Sequence, residues 1–188
     1  MGRARVLAVL ALVAAVAGCG NKRQHAPNVT TTSQAFGFVP QALPTQGLSF
    51  ERPREWRYLP GTAPLLATMT SGLTTIAVWR YPRTEPLPAT SGELDIARDA
   101  LVAAAKARDP SFKVIKAKGT RAAHHPAVVI EADETIAGQP RRVRSTHVYG
   151  NGSEIVVDAF APLDVYPKVE DPIFRRVVRS LTLSKPSG

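Results

Sequence analysis

Four strand-like runs fill most of the stretch from Phe112 to Ala161: "FKVIKAKGT", "AVVIEADET", "RRVRSTHVY" and "EIVVDAFA". Only short turn-forming stretches separate them, of which Gly138-Gln139-Pro140 and Gly150-Asn151-Gly152 are the clearest. Parallel pairing needs a crossover of a dozen or more residues, and these connections are far too short for one. The runs therefore predict an antiparallel meander closed by hairpin turns. That constrains the rest of the chain, because a sheet with an apolar face must bury it against another layer.

The remaining segments supply that layer. "GLSFERPREWRYL" alternates Leu48 and Phe50, then Trp56 and Tyr58, with Pro53 breaking the run. "PLLATMT" and "LTTIAVWRY" flank a Ser71-Gly72 turn and predict a hairpin. In "TSGELDIARDALVAAAKARDP" the period changes. Thr90 and Glu93 fit a capping box, Leu94, Ala97, Leu101 and Ala104 share a helical face, and Asp109-Pro110 ends the helix. Asp171-Pro172 predicts an N-cap and first-turn proline before "IFRRVVRSL". Phe174, Val177, Val178 and Leu181 form the inner face of that helix, while Arg175 and Arg179 share its outer face beside Arg176. A last short strand, "LTLS", follows. The expected fold class is α+β, with a single antiparallel sheet and two principal helices packed on it.

The opening "MGRARVLAVLALVAAVAGCG" has a different character. Arg3 and Arg5 precede an apolar run from Val6 to Val16, too short to span a bilayer, which needs about 20 residues. Val16-Ala17-Gly18-Cys19 resembles the bacterial lipobox. The resemblance implies that Cys19, the sole cysteine, receives a diacylglyceryl group and becomes the mature N-terminus. Residues 1–18 are then a lipoprotein signal, residues 19–46 a lipidated flexible tether rich in Thr, Gln, Pro and Ala, and residues 47–188 the folded domain. The protein is expected on the extracytoplasmic face of a bacterial membrane. Two acyl chains anchor stably where one does not, and Lys22 and Arg23 lie beside the lipid site.

The formal net charge is +9, and removing residues 1–18 takes Arg3 and Arg5 and leaves +7. For an exported protein the expected partners are the membrane, an envelope protein or an anionic polymer, and not nucleic acid. Arg142 and Arg144 share a strand face, as Arg175 and Arg179 share a helix face. Together with Lys22 and Arg23 they are the candidate contacts to an anionic surface. Their competing role is to pair with Glu131 and Asp133, which share a face of the preceding strand beside Glu134.

"GLSFERPREWRYL" at the start of the domain and "DPIFRRVVRSLTL" at its end resemble the PsbP-like fold, including lipoproteins of the LpqN kind. The resemblance covers Gly47 to Ser184 at the level of element order. It implies an interaction or accessory role and no common catalytic residues.

No nucleophile elbow, zincin helix, Walker loop or metal-type cysteine pair is present in the sequence, so neither a cofactor nor a metal is expected. His124 and His125 are adjacent, and in an extended strand would point to opposite faces, with His147 on a neighbouring run. Trp56 and Trp79 either floor a ligand groove or pack in the core. The leading expectation is a non-catalytic, membrane-anchored envelope module for binding or accessory work. Its alternatives are a carrier of a lipid or other apolar ligand, which needs an enclosed apolar cavity, and an envelope hydrolase. The hydrolase needs a nucleophile, a base and oxyanion donors in mutual reach.

Overall fold

The predicted meander is present and extends beyond its four runs. The structure, a computed structural model, describes residues 31–187. Strands β6 (Lys113–Ala122), β7 (His125–Ile136), β8 (Gln139–Gly150) and β9 (Ser153–Pro162) pair antiparallel in chain order. Each is joined to the next by a tight turn whose two central residues have positive φ: Ala123-His124, Ala137-Gly138 and Asn151-Gly152. Such turns match the right-handed twist of the flanking strands, which is why Asn-Gly is so favourable there.

The meander then recruits the earlier hairpin. Strands β3 (Arg57–Pro60), β4 (Leu65–Ser71) and β5 (Thr74–Pro82) extend it through a β5–β9 pairing, giving a seven-stranded sheet ordered β3-β4-β5-β9-β8-β7-β6. Helix α1 (Ser91–Arg108) crosses from β5 to β6 and starts with the predicted capping box. The Glu93 N–H donates to Thr90 Oγ1 at 3.3 Å, and the Thr90 N–H donates back to Glu93 Oε2 at 2.9 Å.

The expected single sheet is corrected to two. Strands β1 (Phe38–Leu43) and β2 (Leu48–Pro53) pair with a two-residue β10 (Thr182–Leu183) in a separate three-stranded sheet. The alternation of Leu48 and Phe50 shows that β2 has a buried face, but periodicity does not specify which sheet that face covers. The segment assigned to the flexible tether is also shortened, since β1 lies inside it. Pro40 interrupts its pattern, and an edge strand such as β1 tolerates a missing N–H.

The closing helical stretch starts earlier than Asp171. It runs through α2 (Tyr166–Val169), a π-helical segment at Glu170–Arg175 and α3 (Arg176–Arg179). The first-turn proline is Pro167, and Pro172 falls inside the widened segment, where a missing N–H breaks the regular ladder. The inner face is as expected: Phe174, Val177, Val178 and Leu181 are buried, joined by Tyr166 and Ile173.

Three layers result. One face of the large sheet, with Ile76, Val78, Ile155 and Val157, is covered by the closing helices and the small sheet. The other face meets α1 through a smaller cluster of Leu94, Val128, Ile130 and Tyr149. Gly119 on β6 lets the helix sit close, because a Cβ there would lie 3.0 Å from Leu94 Cβ. No helix among the described residues is long and apolar enough to cross a membrane.

Candidate functional site

Helix α1 packs on β6 and β7, at one end of its sheet face. Directly opposed residues in an antiparallel pair share a face. The register therefore places Thr75, Ala77, Trp79 and Tyr81 of β5 beside Phe160, Asp158, Val156 and Glu154 of β9. Those in turn lie beside Val143, Ser145, His147 and Tyr149 of β8. Between this floor and the helix side chains Leu101, Ala104 and Arg108 lies an open cleft of about 330 Å³. Trp79 and Tyr81 stack at its margin with ring centroids 6.5 Å apart and planes 9° from parallel. The Trp79 Nε1–H is buried without an acceptor among the described residues.

The floor carries a chain of hydrogen bonds. Ser145 Oγ donates to Asp158 Oδ1 at 2.6 Å and lies 2.9 Å from His147 Nε2. His147 Nδ1 is 2.7 Å from Glu154 Oε1, and Arg83 closes the chain on the other oxygen of Glu154. The three links from Asp158 to Glu154 need three protons. The serine supplies one and a neutral imidazole one, so all three coexist only when the cluster binds one further proton.

Glu154 is 3% exposed. Burial alone would raise its pKa, but the hydrogen bonds from His147 and Arg83 more than offset this and hold it below the usual carboxylate range. The neighbouring Glu134, opposed only by Arg108 at longer range, is raised by burial. A lowered carboxylate pKa contributes stability that is present above the unfolded value of about 4.5 and lost as pH falls through the folded value. Glu154→Gln is therefore expected to cost about 1–3 kcal/mol at neutral pH. The difference from wild type should shrink in acid, as read by urea unfolding across the carboxylate range.

Ser145, His147 and Glu154 have the contacts of a nucleophile, a base and its orienting acid. The surroundings differ from a hydrolase. Ser145 sits mid-strand, laddered to Ile130 on one side and Asp158 on the other, so no backbone N–H pair beside its hydroxyl is left to hold an oxyanion. Its hydroxyl also faces a carboxylate, which opposes negative charge at that point. The sequence reading missed this cluster. Its signal was the i, i+2 spacing of Ser145 and His147, with the Asn151-Gly152 turn fixing Glu154 and Asp158 in register.

The other candidates disperse. Trp56 takes the core role of its two expected ones and not the groove, 2% exposed with Nε1 donating to Ser33 O at 3.1 Å, whereas Trp79 shares the cleft face. Arg142 grips Asp133 through two bonds of 2.9 and 3.1 Å. Arg144 donates to Glu170 at 2.9 Å and lies 4.0 Å from Glu131. Arg175 reaches the same Glu170 oxygen at 2.6 Å, and Arg179 lies 3.5 Å from Asp171. The expected cross-strand pairs are thus formed, and the four arginines have carboxylate partners. His124 occupies the β6–β7 turn, and no group of three His, Cys, Asp or Glu among the described residues is placed to hold a metal. Cys19, Lys22 and Arg23 lie outside the described residues.

No protein family matches this chain in sequence, and neither does any curated protein. Its fold does have solved neighbours. The solution structure of cyanobacterial PsbP (CyanoP) from Synechocystis superposes with a TM-score of 0.61 over 82% of this chain and 98% of that one, at 12% identity. The fold is PsbP-like. LpqN of Mycobacterium tuberculosis, a protein involved in cell envelope biogenesis, gives a TM-score of 0.54 at 16% identity, covering 82% of this chain and 90% of its own. PA94 of Pseudomonas aeruginosa, a protein of unknown function, gives 0.51 at 15%, covering 80% and 99%. At these identities what is shared with the PsbP-like proteins is architecture.

Proposed function

We propose that this protein is a non-catalytic, lipid-anchored module of the bacterial cell envelope that binds a partner on the face of its sheet left open beside α1. The observation that carries the reading is the cleft itself. Tyr81, backed by Trp79, and Phe160 offer apolar surface next to a polar floor whose side chains are hydrogen-bonded to one another. Such a floor fixes orientation without having to react. The fold shared with LpqN supports an envelope setting, and the lipobox resemblance at Cys19 supports the anchor.

The mixed lining and open mouth of the cleft fit a partner that presents both polar and apolar groups better than a lipid held in an enclosed cavity. A photo-crosslinking residue in place of Tyr81 is expected to capture one discrete partner in intact cells. The same residue in place of Ile96, exposed on the outer side of α1, is not. Equal capture from both positions overturns the reading.

A second reading, an envelope hydrolase, is favoured by the Ser145–His147–Glu154 contacts alone. Covalent labelling of Ser145 by a fluorophosphonate probe, abolished in Ser145→Ala, would replace the binding reading with it.

A further inference from the structure

On the opposite face of the sheet from α1, a second concavity of about 140 Å³ is lined by Lys116, Lys118, Val129, Glu131, Arg144 and Arg175. The register explains how it forms. Lys116, Glu131 and Arg144 stand in one row across β6, β7 and β8, with Lys118 and Val129 in the next. Arg175 reaches in from the closing helical stretch and shares the Glu170 oxygen with Arg144.

Charge does not balance there. Four cations, Lys116, Lys118, Arg144 and Arg175, meet three carboxylates, Glu131, Glu170 and, at the outer side of Arg175, Asp171, so positive charge is in excess and it falls on the two lysines. Neither lysine has an ion-pair partner among the described residues. Both sit on the edge strand of the sheet and are exposed.

Hydrogen bonding does not balance either. Arg144 is 14% exposed, and its Nε–H is buried without an acceptor. Thr146 Oγ1, two residues on along the same face of β8, is also buried and unpartnered among the described residues. Of these, the Arg144 Nε–H belongs to a residue that lines the basin. A buried donor without an acceptor is costly, and the Arg144 Nε–H marks a place where something else supplies an oxygen atom.

We propose that this basin is a binding site for a phosphate group, carried by a phospholipid, by a phosphate-bearing polymer or as the free anion. A phosphate presents several acceptor oxygens and negative charge, answering both the unpaired lysines and the unsatisfied Arg144 donor, and guanidinium forks are the side chains best shaped for it. Glu170 holds the two guanidiniums in place, and Lys116 stands opposite Glu131 in the register without an ion pair to it. The site goes beyond the cleft reading and is independent of it, since it lies on the other face of the sheet.

The test uses the full chain made without lipidation. Inorganic phosphate at low salt is expected to shift amide resonances around Lys116, Lys118, Val129, Arg144 and Arg175. In Lys116→Gln/Lys118→Gln, whose side chains are exposed and whose fold is not at risk, the affinity should fall about tenfold or more. In Lys106→Gln/Arg57→Gln, which removes equal charge elsewhere, it should not change. Binding to phosphatidylglycerol but not phosphatidylcholine vesicles, lost in the lysine pair variant, identifies a lipid source. Phosphate binding without vesicle binding identifies a polymer-borne or free phosphate. Scattered or absent shifts, or an equal loss in both double variants, overturn the site.

Discussion

Val177→Asp is expected to lose about 3–5 kcal/mol of stability, enough to consume much of what a domain of this size has. Val177 is fully buried on α3 beside Phe174, at the centre of the layer that closes the large sheet. An aspartate there meets apolar surface with no cation to pair with, so it must either stay charged without solvent or take up a proton at a cost. The expected readout is a fall of roughly 10–15 °C in melting temperature. Lys168→Asp, a charge reversal at an exposed position of the same helical stretch, should stay within about 0.5 kcal/mol of wild type. A Val177→Asp variant that melts with wild type would mean that the helix presents another face to the sheet.

That prediction could be made before the structure because the spacing of Phe174, Val177, Val178 and Leu181 marks one helical face whatever the helix packs on. The meander was legible for a similar reason. Its turns are short and its runs alternate, so local rules determine both pairing and direction. The capping box at Thr90 and the stop at Asp109 are local too, and both stand where expected.

What was not legible depends on distant partners. The sequence of β2 announces a buried face, yet only β1 and the last residues of the domain decide that it forms a separate sheet. Pro40 hid β1, because a proline is compatible with a strand only at an edge. Trp56 and Trp79 look alike in sequence. One is drawn into the core by β2 and the closing helices, and the other is left at a margin because α1 covers only one end of its sheet face. The cleft cluster and the basic basin are likewise products of register. Ser145, His147, Glu154 and Asp158 are ordinary polar residues until the Asn151-Gly152 hairpin sets them side by side. Lys116 and Arg144 become neighbours only through Glu131, which stands between them.

Cys19→Ala is expected to move the protein from the membrane to the soluble fraction, or to leave an unprocessed precursor. Lipobox resemblance implies that the thiol carries two acyl chains, each buried CH₂ contributing about 0.8 kcal/mol to anchoring. None of the helices among the described residues is long and apolar enough to span a bilayer. Lys22 and Arg23 contribute about 1 kcal/mol each near an anionic surface, an attraction that decays within a Debye length of about 8 Å at physiological salt. Those two charges alone are too little to replace the lipid, so processed protein without it should move largely to the soluble fraction. Fractionation reads the change in location, and intact mass reads its cause: a wild-type chain beginning at Cys19 with the mass of the added lipid, and a variant without it. A wild-type protein with a free thiol, or a variant that is still cut and still sediments with membranes, would show that Cys19 is not the anchor.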